Sequence, residues 1–417
     1  MIHWFAYSYR NLFRNKRRSL YTILVISLGF AAINVFGGFT KYIFSNLSES
    51  YIYTAANGHL TIYKGDPELV SSIENPNDSL IGFEDIAAIK KIVNDHGNIN
   101  MIFATIYLSG MVSNGETSTI FIGLAAVPSE LYQVQGNASG MLATLKYFDG
   151  NKLTDDNKGG IGVSRKLANK LGISIGSSLV LMAPTITGQI NSIEAQVVQF
   201  TDTTQELLDD KLVLVPLELA RSLLMSDGAT RLHITLNGNI ELEKLRMELA
   251  SSLADLSKSF RVATWQELSP FYVKVENMFD VIFLFMFLIV STIVVISVIN
   301  TVSMSIFERS REIATMRALG ADRFQIVEVF SLEGAFLGII GCLFGVILWG
   351  IVFFVMIIIS PNWTPPQISR SIPLEIHFDL EYLIVSAGIL ILLSLISSIF
   401  PAYRIASYNI VKALGHV

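Results

Sequence analysis

A concentrated run of charge occupies residues 308–321, which read Glu-Arg-Ser-Arg-Glu-Ile-Ala-Thr-Met-Arg-Ala-Leu-Gly-Ala. Glu308 with Arg311 and Arg309 with Glu312 stand three apart, the spacing of neighbours on one helix face. This predicts a short charged helix running on from the apolar stretch before it. Gly320 is placed to end that helix in a left-handed conformation. Asp322 with Gln325 resembles a capping box for the next helix, which continues through Ile326, Val329 and Phe330. Such a helix is either a solvated connector or a docking surface, and a docking surface would offer Met316, Ala318, Leu319 and Gly320, with Arg317 beside them.

The motifs of catalysis are missing. No stretch fits the phosphate-cradling G-x-x-x-x-G-K-[ST] loop, and neither H-E-x-x-H nor G-x-S-x-G occurs. The chain is therefore read as non-catalytic, holding no cofactor or metal of its own. Its six histidines are scattered, and His59, His96 and His233 read as surface or loop residues rather than ligands. A net charge of −5 with no basic stripe argues against nucleic acid. Cys342 is the single cysteine, so no intramolecular disulfide can form.

The elements that must position the charged run are hydrophobic. Only 16% of residues are charged, against about 25% in soluble domains. Four uncharged stretches, Ser19–Thr40, Val281–Phe307, Gly334–Ile359 and Tyr382–Tyr403, reach the roughly 20 residues needed to cross a bilayer. No Asp, Glu, Lys, Arg or His lies within them, which argues against a proton- or ion-coupled transporter. In the third, Gly334 and Gly338, then Gly341 and Gly345, form two small-x-x-x-small pairs suited to close helix packing. The second is unusually polar, with Ser291, Thr292, Ser297, Asn300, Thr301 and Ser303, a pattern read as hydrogen bonding between helices.

Basic residues set the orientation. Arg10, Arg14, Lys16, Arg17 and Arg18 precede the first stretch, Arg309, Arg311, Arg317 and Arg323 follow the second, and Arg404 and Lys412 follow the fourth. Both termini and the loop at 308–327 are expected to be cytosolic. On a helical wheel Ile2, Phe5, Tyr9, Leu12 and Phe13 oppose His3, Arg10, Arg14 and Arg17, the pattern of a helix lying in the membrane interface.

The segment 45–264 is then extracytoplasmic and α+β in pattern. Met101–Val112 and Thr117–Leu124 flank an Asn-Gly turn and read as a hairpin. Ser164 is expected to cap a helix that stops before Gly172, and further strands are expected near 178–182, 193–200, 211–215, 231–236 and 260–263. Two subdomains are expected. Ser45–Tyr53 and Trp265–Asp280 read as helical extensions of the first two spans, a stalk carrying the domain.

The segment Ile306–Ala321 resembles the signature of the MacB/FtsX/LolC-type permeases, E-R-x-R-E-I-x-x-x-R-A-L-G-A. Asn11, Arg14, Arg17, Arg18 and Ser19 are similar to the family's entry to its first span. Ser164–Gly176 is similar to an element of its external domain, and Pro401-Ala402-Tyr403-Arg404 to its tail, with Ile405 and Ile410 departing from the pattern. The resemblance implies an ABC transporter permease with four transmembrane α-helices and a large α+β domain inserted between helices 1 and 2. It implies that residues 308–327 form a coupling helix loop gripped by a separate ATPase that holds the ATP and Mg, and that Glu308, Arg309, Arg311 and Glu312 take part.

The remaining divisions expected are an interfacial helix at 1–18, first span and stalk at 19–44, stalk and second span at 265–307, third span at 328–359, a short loop at 360–380, fourth span at 381–403 and a cytosolic tail at 404–417. A second permease, identical or paralogous, completes the implied assembly in a bacterial inner membrane. Gly58–Lys64 is similar to the lipoprotein-release branch, which implies extraction of a lipoprotein or other amphiphile by mechanotransmission. The alternatives are efflux of peptides or small molecules with a periplasmic adaptor and outer-membrane duct, and a signalling scaffold that activates a wall hydrolase.

Overall fold

The computed structural model describes residues 16–65, 79–139, 148–201, 208–238, 241–257, 259–364 and 371–406. The first helix, α1, spans Lys16–Glu49 and closes in one π-helical turn, Ser50–Thr54. There follow β1 (Leu60–Lys64), α2 (Phe83–Asp95), β2 (Ile99–Ser113), β3 (Ser118–Ala126), α3 (Pro128–Gly136), β4 (Phe148–Gly150), β5 (Gly160–Ser164) and α4 (Arg165–Leu171). Next come β6 (Ser178–Pro184), β7 (Ile190–Thr201), β8 (Leu212–Pro216), α5 (Leu217–Leu224), β9 (Arg231–Leu236), α6 (Leu242–Leu256) and β10 (Phe260–Thr264). Last are α7 (Pro270–Glu308), α8 (Ser310–Ala318), α9 (Arg323–Ile359) and α10 (Leu380–Ala406).

Among the described residues α1, α7, α9 and α10 are long and apolar enough to cross a membrane, and the α+β domain is inserted between the first and second of them. Two compact units result, one drawn from Met1–Ile43, Glu276–Pro361 and Pro373–Val417, the other from Phe44–Val275 with Asn362–Ile372.

In the α+β unit the pairing order β10-β1-β9-β2 is antiparallel throughout. With α2 joining β1 to β2 and α6 joining β9 to β10, this is a ferredoxin-like split β-α-β arrangement. Ile86, Ile89 and Val93 of α2 and Leu245, Leu249 and Leu253 of α6 line one core with Leu232 and Ile234 of β9, because their helical spacing puts them on one stripe. Everything between β2 and β9 is an insertion. There β2 pairs with β3, β3 with β8, β8 with β5, β5 with β7, β7 with β6, and β6 back to β2, so the pairings close a ring of strands. The expected two subdomains are thus two lobes of one sheet. They share the 15-residue β2, which meets β9 through Ile99–Thr105 and β3 through Thr105–Ser113. Gly110 permits the closure, since a Cβ there would sit 1.9 Å from the Met182 carbonyl oxygen.

Three local expectations need correction. His233 is neither surface nor loop: it is fully buried in β9. Alternation along Arg231–Leu236 would leave Arg231, His233 and Thr235 on a solvent face. Instead that face is covered by the turn after α1 and by α3, through Ala56, Leu131 and Val134, which cluster with Phe103 of the neighbouring β2. The ring answers its burial with hydrogen bonds. Nδ1 lies 2.9 Å from the Asn57 carbonyl, which can only accept, so Nδ1 carries the proton, and Nε2 accepts from Thr105 Oγ1 at 2.8 Å. Ser164 stands at the N-cap of α4, but its side chain makes no cap bond, because it ends a fully buried strand and its hydroxyl is enclosed there. Finally, α7 begins at Pro270 rather than at Trp265, as a proline suits a first helical turn and lacks the N–H needed later.

Candidate coupling site

The charged run 308–321 lies in the helical unit at the junction of α7, α8 and α9. The expected helix is present, but it is not a continuation of α7. The backbone breaks at Arg309, whose φ of −112° and ψ of 15° leave the α-region, and α8 restarts at Ser310. The break reflects where the side chains go. Arg309 is only 3% exposed and turns inward to Glu333 on α9, which is equally buried, with 3.8 Å between Arg309 Nη1 and Glu333 Oε2. Ser305 Oγ donates to Glu333 Oε1 at 2.9 Å. Glu308 meets Arg18 of α1 at 2.6 Å. Two consecutive residues therefore tie the end of α7 to α1 and to α9, in place of the Arg309–Glu312 pairing that spacing suggested. The uncharged stretch Gly334–Ile359 is the later part of a longer helix, since α9 begins at Arg323 and carries Glu333 just before that stretch.

The rest of the site is an anchored helix with a locked end. Ile313 and Ala314 of α8 are buried, Ile313 among Ile306, Ile326 and Phe330, and Met316 packs against that cluster. Arg311 is exposed, and Glu312 and Arg317 are half-buried. The helix ends in a Schellman motif, with Ala321 N–H bonded to Met316 O and Gly320 N–H to Arg317 O, at the φ of +103° that Gly320 adopts. Asp322 and Gln325 form the expected capping box on α9. Of the apolar contacts expected, Ala318 and Leu319 face outward, Leu319 at 84% exposure, while Met316 points in. Sequence reasoning missed Phe324, 77% exposed in the first turn of α9. Its signal was available, an aromatic side chain between a polar cap and the first buried position of the helix.

The comparisons bear on what such a junction belongs to. Residues 19–252 match the MacB-like periplasmic core domain, and residues 284–410 match the FtsX-like permease C-terminal region. The chain belongs to the MacB/FtsX/LolC family of ABC transporter permeases. The lipoprotein-releasing system transmembrane protein LolE of Haemophilus influenzae is 25% identical over 279 residues, 62% of this chain and 65% of that one. The ABC transporter permease YtrF of Bacillus subtilis is 30% identical over 129 residues, 28% of each chain. The periplasmic region of MacB from Actinobacillus actinomycetemcomitans is similar at 12% identity, with a TM-score of 0.35, covering 52% of this chain and 92% of that one. Between 28% and 65% of the length of these curated relatives is spanned by the chain.

Within the permease's helical unit the two glycine pairs of α9 face different neighbours. A Cβ on Gly334 would lie 2.5 Å from Ser398 Oγ and one on Gly338 3.1 Å from Ser394, both on α10. On Gly341 it would lie 2.5 Å from Ile26 and on Gly345 2.7 Å from Phe30, both on α1. Ser27 also donates to the Gly341 carbonyl at 2.9 Å, an approach that only a bare backbone allows. Gly341→Leu is accordingly expected to lower the stability of the full chain by about 1–3 kcal/mol, the usual cost of overpacking. Gly350→Leu, where nothing lies within 4 Å, should leave the melting temperature unchanged. Equal melting of the two variants would contradict the packing seen. Of the residues expected to lie in the membrane interface, Arg17 and Arg18 open α1, both exposed; Phe5, Arg10, Leu12 and Arg14 lie outside the described residues.

Proposed function

We propose that this permease works with a separate ATPase, which docks on α8 and on the turn that follows it. The observation that carries the reading is the pair Leu319 and Phe324, large apolar side chains at 84% and 77% exposure on a turn whose backbone is held from both sides. Single exposed apolar residues are ordinary. Two on a rigid support, with charges around them, have the form of interface anchors. The ATP and Mg2+ belong to the partner, and this chain supplies no catalytic group.

The work is mechanical. At about 1.5 Å per residue, α1 and α7 with 34 and 39 residues exceed the roughly 30 Å of a bilayer's hydrocarbon core, so both can continue beyond it as a stalk. Force applied at α8 then passes along α7 to the α+β domain. The basic residues Arg17, Arg18, Arg311 and Arg317 favour a cytosolic α8 side, with the α+β domain on the other side of the inner membrane. The LolE relative favours release of a lipoprotein or similar amphiphile from that membrane as the task.

The test is co-purification of the tagged full chain from gently solubilised membranes. An ATPase is expected in equal amount. Leu319→Glu with Phe324→Glu should lose at least nine-tenths of it, as expected for hot-spot anchors worth about 2 kcal/mol or more each, without changing the permease's melting temperature. An ATPase retained by the double variant would refute the docking surface, and an intact complex with no ATPase at all would refute the transporter reading. Co-purifying lipoproteins support the release task; an adaptor or a wall hydrolase in their place would overturn it.

A further inference from the structure

The contacts of α7 with α1 repeat along the helix in a way that the coupling site does not use. Thr22, Gly29 and Phe36 of α1, two turns apart, each seat between two residues of α7 that are one turn apart. Thr22 Oγ1 lies 3.2 Å from Ser297 Oγ and 2.6 Å from Thr301 Oγ1. A Cβ on Gly29 would lie 2.6 Å from Val290 and 3.9 Å from Val294. The Phe36 ring stacks on Phe279 and on Phe283, with 6.2 Å between centroids in each case.

One turn further toward α8 the same chemistry recurs. Thr301 is followed by Ser305, Val294 by Val298 and Phe283 by Phe287, and Phe287 stacks beside Phe283 at 6.5 Å. A step of α7 by one turn, about 5.4 Å, would therefore give each of the three α1 residues a seat of the same kind. Hydroxyl would meet hydroxyl, glycine would meet valine, and ring would meet ring. The opposite step offers no such match, since Thr22 would meet Ile293 and Gly29 would meet Met286. Equivalent seats one turn apart make a packed interface bistable rather than continuously deformable.

What holds the present register sits at the α7–α8 junction. Ser305, the hydroxyl that Thr22 would meet after the step, now donates to Glu333 of α9, and Arg309 turns to the same carboxylate. Ser305 cannot stay on Glu333 and also seat Thr22. The helix α1 goes with α9 in this arrangement, because Ile26 and Phe30 fill the space that Gly341 and Gly345 leave. Of the four membrane helices α7 is the least buried, so it has the least packing to remake. The pair of Arg18 with Glu308 is exposed, and surface pairs resist little.

We propose that α7 has two registers against α1, one turn apart, and that the hold of Ser305 and Arg309 on Glu333 keeps it in the one seen. Release frees Ser305 for Thr22, and α7 steps toward its Pro270 end. Both helices lead into the inserted α+β domain, so an axial step between them is a motion that the domain must follow. The proposal rests on the docking reading only for what triggers release, α8 being where the ATPase would act.

The test uses the full chain with Cys342→Ser, carrying Thr22→Cys with either Ser297→Cys, which reports the register seen, or Ser305→Cys, which reports the second. Each is purified into nanodiscs and oxidised with copper phenanthroline, and the disulfide within the chain is quantified by mass spectrometry of a digest. With Arg309 and Glu333 in place, the 22–297 pair is expected to crosslink at least tenfold more than the 22–305 pair. Arg309→Met with Glu333→Leu should raise the 22–305 crosslink at least tenfold. Glu333→Gln, which keeps the side-chain shape and removes its charge, should raise it in the same direction. No rise in either variant, or equal crosslinking of the two pairs with Arg309 and Glu333 in place, would overturn the proposal. No ATPase enters these measurements, so their failure leaves the docking site standing, and failure of the docking test leaves the two registers standing.

Discussion

Arg309→Met is expected to lower the stability of the full chain by about 3–5 kcal/mol, the cost of leaving one partner of a buried ion pair unmatched. Glu333 is the group stranded. It lies beside the apolar cluster of Ile306, Ile313, Ile326 and Phe330, with the Ser305 hydroxyl on one oxygen and Arg309 opposite the other. Neither η nitrogen of Arg309 has a hydrogen bond among the described residues, and neither has Glu333 Oε2. The pair is thus held by charge at 3.8 Å more than by geometry, and such pairs are often replaced by apolar side chains at no loss. Arg309→Met with Glu333→Leu should therefore recover most of what the single change removes. Thermal melting of the detergent-solubilised chain decides the matter, and an Arg309→Met variant that melts with the wild type would mean the buried pair contributes nothing. Because Arg309 also marks the break between α7 and α8, the stable double variant is the one in which to ask whether α8 keeps its orientation.

The second large effect is a dependence on pH. Burial, reinforced by Arg231, pushes the His233 imidazole down to about 3, against the hydrogen bond that its Nδ1 donates to the Asn57 carbonyl, which works the other way. The unfolded chain, with an ordinary histidine value near 6.5, binds the proton first. Stability is therefore fully present above about pH 6.5 and is lost as pH falls toward 3, at up to about 1.4 kcal/mol per pH unit. His59, lowered by burial, adds to the same slope. Glu130, raised by burial, opposes it weakly. Between pH 6.5 and 5 the histidines dominate, so the full chain should lose about 2 kcal/mol over that interval. His233→Asn, less stable at neutral pH, should lose most of the slope. Hydrogen exchange at the β9 amides reads this in the intact protein. A wild-type slope equal to the variant's would show that His233 is not buried neutral.

The two regions differ in how much of them sequence reasoning could reach. Hydrophobic runs, basic flanks, the Asn-Gly hairpin, Gly320 and the Asp322–Gln325 box are local features, each readable because one or two turns of chain carry the whole signal. His233 and Arg309 were misread for a shared reason. Periodicity tells which residues lie on one face of an element, but not whether another element covers that face. The strand around His233 alternates as a half-exposed strand should, and only the turn Ser50–Gly58 with α3 makes its polar side a core.

The amino-acid sequence by itself determined the membrane helices, the inserted α+β domain, the capped and charged helix between α7 and α9, and the family, since length, hydropathy and short-range capping leave little else to decide. Tertiary structure alone decided that Glu308 reaches Arg18, 290 positions away in the chain, that Arg309 is buried against Glu333, that the glycine pairs of α9 serve two different helices, and that β2 joins both lobes of the sheet. These are partnerships between distant segments. No local pattern specifies them, because the energy that selects them comes from burying charge, backbone and apolar surface together only once the helices have packed.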